Sequence, residues 1–163
     1  MKVFKAPMIK VSYDTKHKLF LAGGISNCPN WQDDVVEMFK NHKEKYKQLT
    51  IFNPRRRGDL AKDTDVAKQQ IIWEHIHLME STHILFWFPE ETVCPITLFE
   101  LGKWAYIHKK VNVNPNIFVG IHPNYSRKFD LEIQLPLINP AIKIVYSLEE
   151  LYNQVSERIT NAN

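Results

Sequence analysis

The chain has 163 residues, of which 44% are apolar and 24% charged, and a formal net charge of +3. That length suits one domain with a sizeable buried core, and the composition excludes general disorder. The basic residues are dispersed except for Arg55-Arg56-Arg57, a run too short to specify duplex nucleic acid.

The opening, MKVFKAPMIK, is basic but has no continuous apolar stretch after it, so it is not expected to be a secretory signal. KLFLAG (18–23) predicts a strand that stops at two glycines. NWQDDVVEMFKNHKEKY (30–46) predicts a helix with Asn30 as its cap and Val35, Met38 and Phe39 on its apolar stripe. LTIFNP (49–54) is a strand ended by proline, DVAKQQIIWEHIHLMES (65–81) a helix, and HILFWF (83–88) a strand apolar on both faces. The next helix starts at Pro95, a residue suited to a first helical turn. NIFVGI (116–121) is a strand, and RKFDLEIQLPLI (127–138) is either a short helix or an extended connection. IKIVY (142–146) is a last strand, and Ser147 to Glu150 form a capping box that opens a closing helix over 147–159.

Five strands alternating with helices imply a doubly wound, five-stranded parallel α/β sheet of the flavodoxin or Rossmann kind in a single domain. Ligands of such sheets bind beyond the carboxyl ends of the strands. The segments to inspect are therefore AGGISN, FNPRRRGD, FPEETVCP and GIHPNYSRK, all polar and rich in turn formers or charge. No apolar run is long enough for a membrane helix. Cys28 and Cys94 form no CxxC pattern and point to a reduced, cytoplasmic setting. The seven histidines lack finger-like spacing with cysteine, so neither a metal nor a cofactor is expected.

Several residues in these segments admit two roles. Gly23-Gly24 either lets a ligand approach the backbone, with Ser26 beside it, or simply makes a tight turn. Neither GxGxxG nor a P-loop is present. Asn53, Arg55 and Arg56 either hold a phosphate or carboxylate, or pair with acidic neighbours such as Asp59 and Asp63. In IIWEHIHLME, Glu74 and His77 are three apart and Trp73 and His77 four apart, so each pair shares a face. Glu74 is either a substrate ligand or part of a polar edge around a half-buried tryptophan. Glu100 falls at the border of the apolar stripe formed by Leu98, Leu101 and Ala105. It is either an exposed partner of Lys103 or an ionised carboxylate, favoured by the nearby helix N-terminus, of the kind that attacks a sugar carbon.

FLAGGIS, FNPRR, WEHIHLMESTHILFWFPEET and CPITLFELGKWA, in that order, together resemble the nucleoside 2-deoxyribosyltransferase-like family. The resemblance runs over roughly residues 18 to 146 and implies a five-stranded doubly wound domain. It also implies exchange of the base on a nucleoside through a covalent sugar ester on a glutamate. By that resemblance Glu100 is the nucleophile, Glu74 holds the sugar hydroxyls, and Gly23, Gly24 and Ser26 line the sugar pocket. Asn53, Arg55, Arg56, Trp73 and Thr92 are further expected substrate contacts. Asn124 corresponds to an asparagine that a neighbouring subunit supplies, which implies a homo-oligomer. Well-studied members carry an aspartate before the nucleophile. Here the interval is EETVCPIT, so Glu90 or Glu91 stands in, with Glu91 as the acid for the leaving base.

The arginines suggest a phosphorylated or larger substrate. The expected activity is therefore N-glycosidic bond cleavage or transfer on a nucleoside or nucleotide. The rivals are a hydrolase of a nucleotide or NAD-like molecule and a non-catalytic nucleotide-binding module.

Overall fold

The computed structural model describes residues 1–8, 14–56, 64–111 and 116–161; Arg57, Asp59 and Asp63 lie outside them. Six parallel strands form one sheet: β1 (Lys2–Lys5), β2 (His17–Gly23), β3 (Leu49–Asn53), β4 (His83–Phe88), β5 (Asn116–Ile121) and β6 (Ile144–Val145). Their order is β1-β3-β2-β4-β5-β6. Five helices connect or follow them: α1 (Trp31–Lys40), α2 (Thr64–Glu80), α3 (Pro95–Val111), α4 (Lys128–Ile138) and α5 (Leu148–Asn161).

The strand period of two sorts the apolar side chains into two cores. Phe20 and Ala22 of β2, with Phe86 and Phe88 of β4, face a cluster that includes Trp73 of α2, Leu101 and Trp104 of α3, and Leu131 of α4. Leu19 and Leu21, with Leu85 and Trp87, face Val35 and Phe39 of α1 and Val155 and Ile159 of α5. Helices α2, α3 and α4 thus cover one face and α1 and α5 the other. This is why β4 is apolar on both sides and buried along its whole length.

The sheet has six strands rather than the expected five. The added strand, β1, is a four-residue edge element whose register runs from Lys2 opposite Thr50 to Lys5 opposite Asn53. It is too short to register as a periodic pattern, and its lysines are typical of a protected edge. At the other edge, β6 keeps only Ile144 and Val145 of the expected 142–146. Residues 128–138 resolve as helix, with Pro136 inside its last turn. The first helix stops at Lys40, six residues before its expected end.

The expected caps form. The Asn30 side chain accepts from the Asp33 amide, and Ser147 Oγ accepts from the Glu150 amide at 3.1 Å. The Glu150 carboxylate accepts from the Tyr146 amide, one residue before the usual reciprocal partner.

At the amino ends of β2 and β4, His17 Nδ1 and His83 Nε2 lie 3.0 Å apart. Asn116 Nδ2 donates to the Thr82 carbonyl, which fixes the amide so that it also donates to His83 Nδ1 at 3.1 Å. His83 must then be neutral, with its proton on Nε2, directed at His17. Burial, the facing His17 ring and Arg158 push His83 down to about 4. A histidine depressed in the folded state lends stability that is present above its unfolded value near 6.5 and is lost as pH falls toward 4. The advantage of the wild type over a His83→Gln variant is expected to shrink by up to roughly 3 kcal/mol across that window. Urea midpoints of the two proteins at pH 7 and pH 4 measure it, and a constant difference would contradict it.

Candidate active site

Strand order reverses direction between β2 and β4, so the loops after these two strands diverge and leave a crevice at their carboxyl ends. A cleft of about 330 Å³ lies there, between α2 and α3. Gly23, Gly24 and Ser26 form one wall, Thr92 and Cys94 of the β4–α3 loop another, and Gln70, Glu74 and Glu100 a third.

The first wall is held rigidly. The Gly24 carbonyl accepts from Trp31 Nε1 at 2.9 Å and from Gln32 Nε2 at 3.0 Å. A Cβ on Gly24 would meet Thr92 Cγ2 at 2.7 Å and the sulfurs of Cys28 and Cys94 at 3.1 Å. The absence of a side chain there lets the two loops pack together. Cys94 caps α3 through its carbonyl, which accepts from the Leu98 amide, and it adopts a left-handed φ of 50°. Such a conformation in a residue other than glycine is a local strain of the kind found at functional sites.

Helix α3 buries Thr97, Leu101, Trp104 and Ala105, and this phase carries Glu100 into the cleft. Burial first, and then the charge of Glu74, push the Glu100 carboxyl up to about 7, against a smaller opposing pull from Lys103. The expectation of a carboxylate kept ionised by the helix N-terminus is thereby corrected. Glu100 is the sixth residue of α3, beyond the first turn where the dipole acts, and desolvation dominates. Glu74 is also raised by burial, an effect partly offset by the hydrogen bond that it accepts from Gln70 Nε2 at 2.7 Å. Burial and the Glu74 charge thus both act against ionisation of Glu100 in the cleft.

The structure brings Gly23, Gly24, Ser26, Glu74, Thr92 and Glu100 together at this cleft and places the other candidates elsewhere. Asn53 is fully buried, and its side chain donates to Asp33 and accepts from the Arg55 amide. Arg55 donates from Nε to Gln32 at 2.9 Å and from Nη2 to the Pro29 carbonyl at 2.9 Å, with longer bonds to Gly24 and Cys28. It therefore clamps the first loop instead of facing a ligand in the cleft. Arg56 lines a separate hollow with Lys5, Met8 and Asn30.

Trp73 is buried in the core rather than half-buried. Its indole donates to the Met8 carbonyl at 2.8 Å and its ring stacks on His77. Glu91 is exposed, as is Asn124, whose amide donates to Glu90 at 3.0 Å. Reading the sequence missed Gln70 and Cys94. The i, i+4 spacing of Gln70 and Glu74 was a usable signal for the first, whereas nothing in the sequence singles out the second. Among the described residues, no group of three or more His, Cys, Asp or Glu is placed to hold a metal, and no helix is long and apolar enough to cross a membrane.

Comparison with known proteins agrees with this architecture. The family model described as nucleoside 2-deoxyribosyltransferase like matches residues 16–118, a span that contains the whole cleft but not Asn124. A crystal structure of a conserved protein from Enterococcus faecalis V583 is similar in fold, with a TM-score of 0.55 and 13% identity. The match covers 87% of this chain and 98% of that one. No curated protein matches the chain significantly.

Proposed function

The chain belongs to the nucleoside 2-deoxyribosyltransferase like family, and on that premise we propose that it cleaves or transfers the N-glycosidic bond of a nucleoside or nucleotide. The observation that carries this reading is the placement of Glu100 and Glu74 in one cleft with the Gly23-Gly24 turn. In the first step a Glu100 carboxylate oxygen bonds to the anomeric carbon, and the carbon–nitrogen bond breaks with its electron pair going to the base. A proton delivered to the base neutralises the departing charge, with Glu91, exposed one residue before the cleft-lining Thr92, as the proposed donor. In the second step a nitrogen of another base, or water, attacks the anomeric carbon and releases Glu100 as a carboxylate. Glu74 holds the sugar hydroxyls throughout.

The test is incubation with a panel of nucleosides, nucleotides and NAD, with and without an acceptor base, and with products and any Glu100 adduct read by mass spectrometry. Free base with no acceptor present indicates hydrolysis, and exchange only with an acceptor indicates transfer. No product from any member of the panel would overturn the reading. A phosphorylated substrate is a second possibility. It is favoured by Arg56, whose Nη1 is buried without a hydrogen-bond partner and which lines the hollow shared with Lys5 and Asn30.

The proposed enzyme is a cytoplasmic homo-oligomer. Among the described residues, ten of the thirteen exposed large apolar side chains lie on α2, α3 and α4: Ile71, Ile72, Ile76, Met79, Ile96, Phe99, Tyr106, Phe129, Ile133 and Leu137. None lies on α1 or α5. So one-sided an apolar surface favours a covering partner, and Ile71 and Ile96 also border the cleft, so a second copy seated there would close its mouth. Phe99→Glu is expected to dissociate the assembly in sedimentation measurements. A wild type that sediments as a monomer at high concentration would refute the assembly.

A further inference from the structure

The chain has two cysteines, and the proposed mechanism uses neither. Cys28 follows β2 and Cys94 follows β4, just before α3, so the two are far apart in sequence. Gly24 lies beside both: a Cβ there would be 3.1 Å from each sulfur. The sulfurs are therefore separated by no more than twice that distance, and glycine supplies no side chain to keep them apart. Rotation about the cysteine side-chain bonds has to close that approach to a bonded length of about 2 Å.

The two thiols stand in different surroundings. Cys28 is only partly buried, and Arg55 Nη2 approaches its sulfur at 3.3 Å. A guanidinium so placed favours the thiolate, against the burial that raises the thiol overall. Cys94 is buried, and its thiol donates to the Thr92 carbonyl at 3.4 Å. Burial first, and then Cys28, push Cys94 up to about 11. Cys28 is thus the sulfur that meets a small oxidant, and Cys94 stands behind it.

We propose that Cys28 and Cys94 form a redox modification site, which a hydroperoxide converts into a disulfide tying the first loop to the loop before α3. The Cys28 thiolate attacks one peroxide oxygen, the O–O bond breaks, and the other oxygen leaves and takes up a proton. Cys28 is then a sulfenic acid. The Cys94 sulfur attacks the Cys28 sulfur, the S–O bond breaks, and the oxygen departs as water with the proton that Cys94 gives up. With hydrogen peroxide, two thiols and one peroxide give one disulfide and two waters, each sulfur losing one electron. A small thiol reverses the change by exchange. Thr92 and Cys94 line the cleft beside Gly24, so the bond would lock two of its walls together.

The experiment treats the reduced full chain with hydrogen peroxide, quenches it with a thiol-alkylating reagent, and reads the product by mass spectrometry. The chain is expected to lose the mass of two hydrogens and take up no alkyl group, and its digest to contain the Cys28 and Cys94 peptides linked. Dithiothreitol should restore both thiols. Cys28→Ser and Cys94→Ser are each expected to abolish the link. The oxidised wild type is expected to have a higher urea midpoint than the reduced protein, because the bond constrains the unfolded chain. Two alkylatable thiols after treatment would overturn the proposal, as would Cys28 sulfinic acid beside a free Cys94, or links formed only between chains. A link that lowers the urea midpoint would overturn it too, because the folded loops would then not accommodate the bond. Should a serine variant fail to fold, the wild-type peptide map decides alone. None of these readouts uses turnover, so the outcome is independent of the glycosidic reading.

Discussion

Glu100→Gln is expected to lose turnover by about a thousandfold or more while making the protein more stable above pH 7. Both effects come from one cause. The carboxyl is held in a cleft where burial and the neighbouring Glu74 disfavour its charge, and its value rises to about 7. An acid raised in the folded state lends stability that is fully present below its unfolded value near 4.5 and is lost as pH climbs through 7. Glutamine never ionises, so the variant avoids that loss. Its advantage over the wild type should grow between pH 4.5 and 7 and level off above, reaching up to roughly 3 kcal/mol.

This trend runs opposite to that of His83, which is destabilising on the acid side of the same range. The two are therefore separable only as differences between each variant and the wild type. Urea midpoints at pH 5 and pH 8, paired with turnover, test the prediction. Wild-type turnover in the variant would remove the nucleophile, and an unchanging stability difference would remove the buried carboxyl. Only the ionised form can attack a sugar carbon, so wild-type kcat/KM should also rise with pH through a midpoint near 7. Such a cost at the proposed nucleophile is of the kind that sets activity against stability at functional positions.

Gly23→Ala is expected to destabilise the fold by about 3 kcal/mol or more. A Cβ at this position would lie 2.4 Å from the Trp87 carbonyl oxygen and 2.5 Å from Trp31 Cζ2. The first obstacle is backbone of the neighbouring strand, with Gly23 in register opposite Trp87, and it cannot swing aside as a flexible side chain would. The second is a ring packed at 3% exposure whose nitrogen holds the Gly24 carbonyl. Relief requires β2 and β4 to part at their carboxyl ends, where the cleft is. The variant should therefore lose stability in a urea melt and lose activity together. Unchanged stability would mean that the strands can separate there freely.

What the sequence by itself determined is the layout of the central elements. The apolar run of HILFWF required cover on both faces, and FLAGG, FNP and CPITLFELG marked strand ends and a helix start through glycine, proline and caps. These are local signals, set by backbone sterics and by side-chain period, and they placed β2, β4, α2 and α3 closely enough to put Glu74, Glu100 and the glycines at one rim. Tertiary structure decided what local signals cannot encode. It added β1, whose four residues become a strand only because β3 offers an edge to pair with. It turned Asn53 and Arg55 inward to bind Asp33, Gln32 and the first loop, although by composition they looked like ligand contacts. It buried Trp73 and made Gln70 a lining residue through the phase of α2 against the sheet. It also raised Glu100, because the free energy of a charge depends on how much water and which neighbours surround it, and those come from parts of the chain far apart in sequence.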